Sequence, residues 1–429
     1  MTSIRERAGL DSAALRGHFP SLSRTIDGVP IAYLDGPGGT QVPRECIVAM
    51  TAYLEGSNAN HGGAFTSSAE TDALLHEVHA AGADFLGAHD PDEIVFGPNM
   101  TTLTFAMSRA IGRDLAPGDE IIVTRLDHDA NVAPWLALAD ERHVAVRWIE
   151  LAADRATLDL DSLDRVLTPR TKVVAIGLAS NALGTVSDVG RVIEAAHAVG
   201  AIVFVDAVHA APHLPIDVSA LRADLLVASP YKFFAPHLGM LYGRRDLLER
   251  LTANRVRPAG EALPGKWEVG TQNHEALAGL LGTFGYLERL GAAYGDLRGA
   301  ADRRGRLRAA MSAIHEHERG LSLAVLERLS TVPGLRLFGL ADPARVDERV
   351  PTFSITMAGH APRAVAEHLA ARAINVWDGD FYAWELVREL GLDAEGGLLR
   401  IGLVHYNIIE EVDRLVRALG ELPRAGGRD

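Results

Sequence analysis

Lysine is scarce in this 429-residue chain: Lys172, Lys232 and Lys266 are the only lysines among 42 Lys and Arg residues. Any chemistry that needs a primary amine therefore has three candidates. Lys232 is distinguished by its place. It ends the run Ser229-Pro230-Tyr231-Lys232, directly after the apolar stretch Leu225–Ala228. The run Ile202-Val203-Phe204-Val205 delivers Asp206, with His209 three residues on. Arg125-Leu126-Asp127-His128 follows another apolar run, Ser180-Asn181 a further one, and Gly97-Pro98-Asn99-Met100-Thr101-Thr102 a fifth. Lys172 opens such a run and Lys266 lies in a Pro/Gly loop, so neither shares this placement.

Each of these residues also has an ordinary structural reading. Thr101 suits a helix cap, His128 a loop, and Lys232 a stem that carries its amine to solvent. Asp206 is harder to place so, because a carboxylate ending a strongly apolar strand needs a partner; a buried ion pair would supply one. The group carries the argument. Ligands of open α/β sheets bind outside the carboxyl ends of the strands, and two threonines, two histidines, an asparagine, an aspartate and a lysine gather at five such ends.

The elements that must position them alternate between about residues 90 and 245. Apolar runs predict strands at Ile94–Phe96, Glu120–Thr124, Val144–Glu150, Lys172–Ala179, Ala201–Asp206, Leu225–Ser229 and Gly239–Tyr242. Amphipathic stretches predict helices from about Thr101, over Asn131–Arg142, Asp161–Leu167 and Asp188–Val199. Such β–α alternation with continuous apolar strands implies a mainly parallel sheet covered on both faces. Beyond about residue 285 the texture changes to helices at Asp302–Gly320 and Leu321–Leu329 and short strands at Leu335–Phe338, Thr352–Thr356 and Leu398–Leu403. The expected division is an arm over 1–30, a large domain over 31–290 whose first part packs with the small domain, and a small α+β domain over 291–429.

Composition bounds the function. A formal charge of −14 disfavours an electrostatic grip on nucleic acid or an anionic membrane. Hydrophobic residues make up 48% and charged residues 23%, ordinary for a soluble globular protein. The single cysteine, Cys46, rules out an intrachain disulfide and fits a reducing compartment. The first residues lack the apolar stretch of a signal peptide, and no run reaches membrane-span length, so the expectation is a cytoplasmic protein.

The chain resembles the class V aminotransferases, within the fold-type-I pyridoxal-phosphate enzymes, and more narrowly their cysteine-desulfurase-like branch. The resemblance rests on YLDGPGGTQVP (33–43), VFGPNMTT (95–102), GDEIIVTRLDHDANVAPW (118–135), ASNALGT (179–185), VFVDAVH (203–209), SPYKFFAPHLGMLYGR (229–244), EVGTQNHEAL (268–277) and RIGLVHYN (400–407). It implies a large domain with a seven-stranded, mainly parallel sheet, a smaller C-terminal domain, and pyridoxal 5′-phosphate as cofactor. Lys232 matches the lysine that carries the cofactor as a Schiff base, Asp206 the carboxylate facing the pyridine nitrogen, and His128 the histidine stacked on the ring. Thr101, Thr102 and Ser229 match phosphate-holding positions, and Tyr231 takes a position that is often histidine. Asn181 and His209 match residues near the ring hydroxyl. Thr271 matches a residue that reaches the phosphate from the other subunit of a homodimer, and Arg400 matches the arginine that grips the substrate carboxylate. The physics suits these roles. A helix start offers N–H groups to a phosphate, and a planar guanidinium fits a carboxylate.

The sequence departs from that branch where desulfurases place a cysteine nucleophile ahead of the arginine. Here the segment reads Val376-Trp377-Asp378-Gly379-Asp380-Phe381-Tyr382, and Cys46 lies far away on a predicted helix. Trp377, Tyr382 and Trp384 add aromatic surface either to the substrate side or to the packing of the small domain. His61, in SNANHGGAF (57–65), either contacts substrate or serves its loop. The expected function is a lyase acting on an amino acid or its conjugate through an external aldimine and Cα carbanion, of C–S or β-elimination type, without a persulfide relay. The reading calls for no metal. An aminotransferase, an epimerase, a decarboxylating deaminase of secondary metabolism, and a cofactor-binding regulator or decayed scaffold remain alternatives.

Overall fold

The computed structural model describes residues 10–297 and 301–423. Residues 1–9 of the expected arm and 424–429 of the expected small domain lie outside the described residues.

Seven strands form the central sheet: β1 (Ile94–Gly97), β2 (Glu120–Thr124), β3 (Ala145–Ile149), β4 (Thr171–Gly177), β5 (Ile202–Asp206), β6 (Leu225–Ala228) and β7 (Gly239–Gly243). Their order is β1-β7-β6-β5-β4-β2-β3. The pairs β2–β3, β2–β4, β4–β5 and β5–β6 are parallel, and β7 runs antiparallel to both β6 and β1. Strand β5 shows why the apolar runs are continuous. Val203 and Val205 enter one buried cluster, and Phe204 enters the other, so each face of the sheet has its own core. Each such side chain, fully buried, contributes roughly 1.5–3 kcal/mol.

This order matters for the site. Strands β2, β4, β5 and β6 are consecutive neighbours in the sheet and parallel, so their carboxyl ends open on one edge. Strand β1 shares their direction, because two antiparallel steps through β7 separate it from β6.

The smaller sheet contains β8 (Leu335–Phe338), β9 (Thr352–Met357), β10 (Trp377–Gly379) and β11 (Leu398–Gly402) in the antiparallel order β8-β9-β11-β10. Ala32–Tyr33 pairs in parallel with Ile374–Asn375, which ties the beginning of the chain to this part. Helices α1 (Arg44–Gly56), α2 (Met100–Gly112), α3 (His274–Tyr294) and α4 (Arg303–Leu329) complete the parts needed below.

One expectation fails. The two helices expected to meet at Gly320 and Leu321 are a single helix, α4. An interior glycine costs only about 1 kcal/mol relative to alanine. The buried stripe Leu321, Val325, Leu326 and Leu329 continues beyond Gly320, and burial of that stripe outweighs the local cost.

Candidate active site

The strand ends open into a cavity of about 730 Å³ at the carboxyl edge of the large sheet, closed on its other side by residues 377–384 and Arg400. Lys232, Asp206, His128, Asn181, His209, Ser229, Tyr231, Thr101, Trp377, Tyr382 and Arg400 all line it. Thr102, Thr271 and His61 do not. The Thr102 hydroxyl and backbone N–H are both taken by the Asn99 side chain, which caps α2. Thr271 is exposed before α3, and His61 is exposed 3.8 Å from Asp72.

Lys232 is placed by a short turn, Pro230–Lys232, immediately after β6. Its Nζ donates to the Pro37 carbonyl and lies 4.8 Å from the centre of the Tyr231 ring. Burial, reinforced by the Arg400 charge, pulls the amine down to about 7 against the opposing pull of Asp206 and Asp35. A large share of the amine is thus neutral, hence nucleophilic, near pH 7.

Asp206 ends β5 and is buried. The Val208 backbone N–H donates to its Oδ1 at 2.8 Å. Burial pushes its carboxyl up to about 6, opposed by that hydrogen bond and by the Lys232 charge. Asp127, which the sequence reading passed over, is a second buried carboxyl beside it. Thr124 Oγ1 donates to Asp127 Oδ2 at 2.7 Å, yet burial lifts this group to about 8, opposed by the threonine and reinforced by Asp206. Gly177 of β4 makes room for it: a Cβ there would lie 2.4 Å from Asp127 Oδ1.

His128 caps the turn Asp129–Asn131, its Nδ1 accepting the Ala130 N–H at 3.0 Å. Burial, with Lys232 and Arg400 nearby, pulls it down to about 4, so the ring is neutral with its proton on Nε2. Tyr382 stacks on it at 5.3 Å between centroids, 23° from parallel. His209 is buried and held far below its ordinary range by burial, with Nε2 2.9 Å from Thr352 Oγ1. Asn181 Nδ2 donates to the Phe381 carbonyl at 2.8 Å, while its buried Oδ1 has no partner among the described residues.

Arg400 sits in β11, in register with Trp377 of β10 and Ser354 of β9. Its Nη1 donates to the Asn181 carbonyl at 2.9 Å, and its guanidinium lies 4.4 Å from the centre of the Phe381 ring. Among the described residues Nε is buried without a partner, and no carboxylate forms a salt bridge with the group. Burial pulls it down to about 9, which leaves it charged at neutral pH. An arginine so enclosed, with unspent donors, is a ready anion clamp. Asp35 is a further residue that was not singled out: burial lifts its carboxyl to about 6 against its own backbone N–H and the Arg400 and Lys232 charges, and its Oδ1 is buried without a hydrogen bond. Its place in the quoted segment YLDGPGG was the available signal; its burial against a distant part of the chain was not legible there.

The lining fits pyridoxal phosphate on its own terms. Helix α2 presents the backbone N–H groups of Met100 and Thr101 without partners in the described chain, beside the uncommitted Ser229 hydroxyl, which suits a phosphate. Asp206 can face a protonated ring nitrogen, Asn181 Oδ1 can accept from a ring hydroxyl, and Lys232 can condense with an aldehyde.

Comparison with known proteins agrees. The family model for aminotransferase class-V matches residues 32–298 and 307–415. A probable cysteine desulfurase from Mycolicibacterium paratuberculosis is 32% identical over 98% of the chain, which spans 59% of that relative's length. A probable cysteine desulfurase from Streptomyces coelicolor is 32% identical over 96% of both chains. The crystal structure of an Escherichia coli cysteine desulfurase superposes with a TM-score of 0.80 at 28% identity, covering 96% of this chain and 98% of that one. The chain belongs to the class-V aminotransferase family, a family of pyridoxal-phosphate-dependent enzymes.

Proposed function

We propose that the protein is a pyridoxal-phosphate lyase that breaks a bond at Cβ of an amino acid or its conjugate, most simply a C–S bond, without passing sulfur through a cysteine of its own. The carrying observation is the place of the single cysteine. Cys46 is buried on α1, burial pushes its thiol up to about 11, and it is not in the cavity wall, whose loop carries Phe381 and Tyr382 instead. A protonated, enclosed thiol neither attacks nor accepts sulfur.

When bound, the cofactor supplies an electron sink that stabilises negative charge at the substrate Cα. The chain's residues do the rest. Lys232 Nζ would hold the cofactor, and as a free amine it would move a proton at the substrate Cα. Asp206 would keep a ring nitrogen of the cofactor protonated, with Asp127 neutral beside it. The unspent donors of Arg400 orient the substrate carboxylate, and the Phe381 ring shields that contact from water. The neutral His128 covers one face of the site without adding charge.

A homodimer is part of the same reading. Thr271, Val269, Phe65 and the Ile47, Val48 and Leu54 side chains of α1 are exposed in the isolated chain, and a second copy would cover apolar surface of this kind.

The test is incubation of the holoenzyme with cysteine and S-substituted cysteines, following pyruvate, ammonia and thiol or sulfide, together with the intact mass of the protein. The reading expects pyruvate and released thiol with no added sulfur on the chain. A persulfide on Cys46, or accumulation of pyridoxamine phosphate with each turnover, contradicts it.

A further inference from the structure

His209 has one ring nitrogen engaged by the protein and one left over. It lines the cavity, and its Nε2 stands 2.9 Å from Thr352 Oγ1. Its Nδ1 has no hydrogen bond among the described residues and is not sealed from the cavity. Burial, with His213, Arg400, Lys232 and His128 nearby, holds the ring neutral, so it carries a single proton. Where that proton sits decides whether Nδ1 gives a hydrogen bond to a ligand or takes one.

Thr352 settles the choice. It is fully buried at the start of β9. Its backbone N–H donates to the Val350 carbonyl at 2.7 Å, and its own carbonyl accepts from Arg349 Nη2. A β-branched side chain on a backbone held from both sides has little rotamer freedom. Among the described residues, His209 Nε2 is the hydroxyl's one hydrogen-bond partner. Were Nε2 to carry the ring proton, the hydroxyl would have to accept it, and its own proton would be buried without an acceptor. With the hydroxyl as donor both protons are placed, one on the bond to Nε2 and the other on Nδ1. His213 does not compete. Its ring lies 5.3 Å from that of His209, but its Nδ1 is 2.7 Å from Glu318 Oε2.

We propose that Thr352 is a positioning residue: its hydroxyl donates to His209 Nε2 and so keeps the His209 proton on Nδ1, offered to the ring oxygen of the cofactor. Thr352 does not line the cavity and acts only through the histidine. The direction follows from the sheet. With the ring nitrogen at Asp206 on β5 and the phosphate at Ser229 and the start of α2, the ring hydroxyl, which lies across from the phosphate arm, points to the β4 side. Asn181 follows β4, and the same segment reaches Thr352: a Cβ on Gly184, at φ 77°, would lie 2.7 Å from the Thr352 carbonyl oxygen. Asn181 Oδ1, fixed as an acceptor by the bond from its Nδ2 to the Phe381 carbonyl, supplies the complement to the His209 donor. One donor and one acceptor match what a hydroxyl can use. The proposal rests on the cofactor, not on the lyase reading.

The experiment uses the full chain. Nitrogen NMR with isotope-labelled histidine reads the tautomer, His209 being identified by the loss of its signals in His209→Gln. The wild type is expected to show a protonated Nδ1 and a bare Nε2 at neutral pH. Thr352→Val, close in shape, should lose that preference, and Thr352→Ser should restore it. Absorbance titration of the apoprotein with pyridoxal 5′-phosphate reads the consequence. The valine variant should bind about tenfold more weakly, and the serine variant within about twofold of the wild type. A role in packing alone would lower the melting temperature without moving the proton. A wild type protonated at Nε2 overturns the proposal, whether or not the valine variant folds. So does a valine variant that keeps the proton on Nδ1, or one that binds the cofactor as tightly as the wild type. Neither measurement depends on reaction products, so a failure of the lyase reading is seen separately, in the pyruvate assay.

Discussion

Asp127 and Asp206 are two buried carboxyls that flank a single glycine. Gly177 is in register with Asp206 across β4 and β5, and Asp127 Oδ1 stands 2.4 Å from where its Cβ would be. Two enclosed carboxyls this close disfavour a second charge. Burial holds Asp127 up at about 8 and Asp206 at about 6, so at neutral pH the strand-end acid carries the charge and its neighbour the proton.

The first prediction follows from the sign of that shift. The folded state holds the Asp127 proton up to about pH 8, while the unfolded chain releases it near pH 4. The folded state therefore binds more protons across that window, and this group's contribution to stability is lost as pH rises from 4 to 8. Asp127→Asn has no such proton. Urea unfolding at several pH values should show the variant gaining on the wild type from pH 4 to 8. A difference that does not vary with pH contradicts a protonated Asp127.

Arg400→Lys tests the carboxylate clamp. Loss of a charge-assisted, forked contact should lower kcat/KM by about 10- to 100-fold, mostly through KM. Since Arg400 pairs with no carboxylate among the described residues, thermal stability should change far less than activity. Unchanged KM with a collapsed melting temperature would make the arginine structural.

The Lys232 amine predicts how the apoprotein takes up its cofactor. Only the neutral amine condenses, and its value of about 7 lies below the ordinary lysine range. The uptake rate should rise about tenfold from pH 6 to 8 and then level off, whereas an ordinary lysine would keep gaining through pH 10. Stopped-flow absorbance reads it directly.

Much of this was legible in the sequence, for physical reasons that differ by residue. Buried parallel strands must be continuously apolar, so all seven strands and the residues that follow them could be located. Strand order is another matter. Nothing in the apolar pattern says that β4 alone separates β2 from β5, and so Asp127 could not be recognised as the neighbour of Asp206. The Asp35 carboxyl escaped for a similar reason, since its burial comes from contacts with a distant part of the chain. Thr102 was read as part of a phosphate turn; its hydroxyl and backbone N–H both donate to Asn99 Oδ1, the cap of α2. Thr271 and His61 face outward in the single chain, so any part they play depends on what covers them.

That covering surface gives a further prediction. Val48 is 58% exposed on α1, and Val48→Glu should weaken a dimer of this chain at least about tenfold by placing a charge in an apolar contact. Sedimentation of the wild type should give twice the chain mass of 45.9 kDa at micromolar concentration. A wild type that is monomeric there contradicts the dimer reading.

The most direct measurement is borohydride reduction of the holoenzyme followed by peptide mapping. The account predicts one stable adduct, on the peptide that contains Lys232, and none in Lys232→Ala. An adduct on Lys172 or Lys266, or no adduct from a protein that has taken up the cofactor, would contradict it.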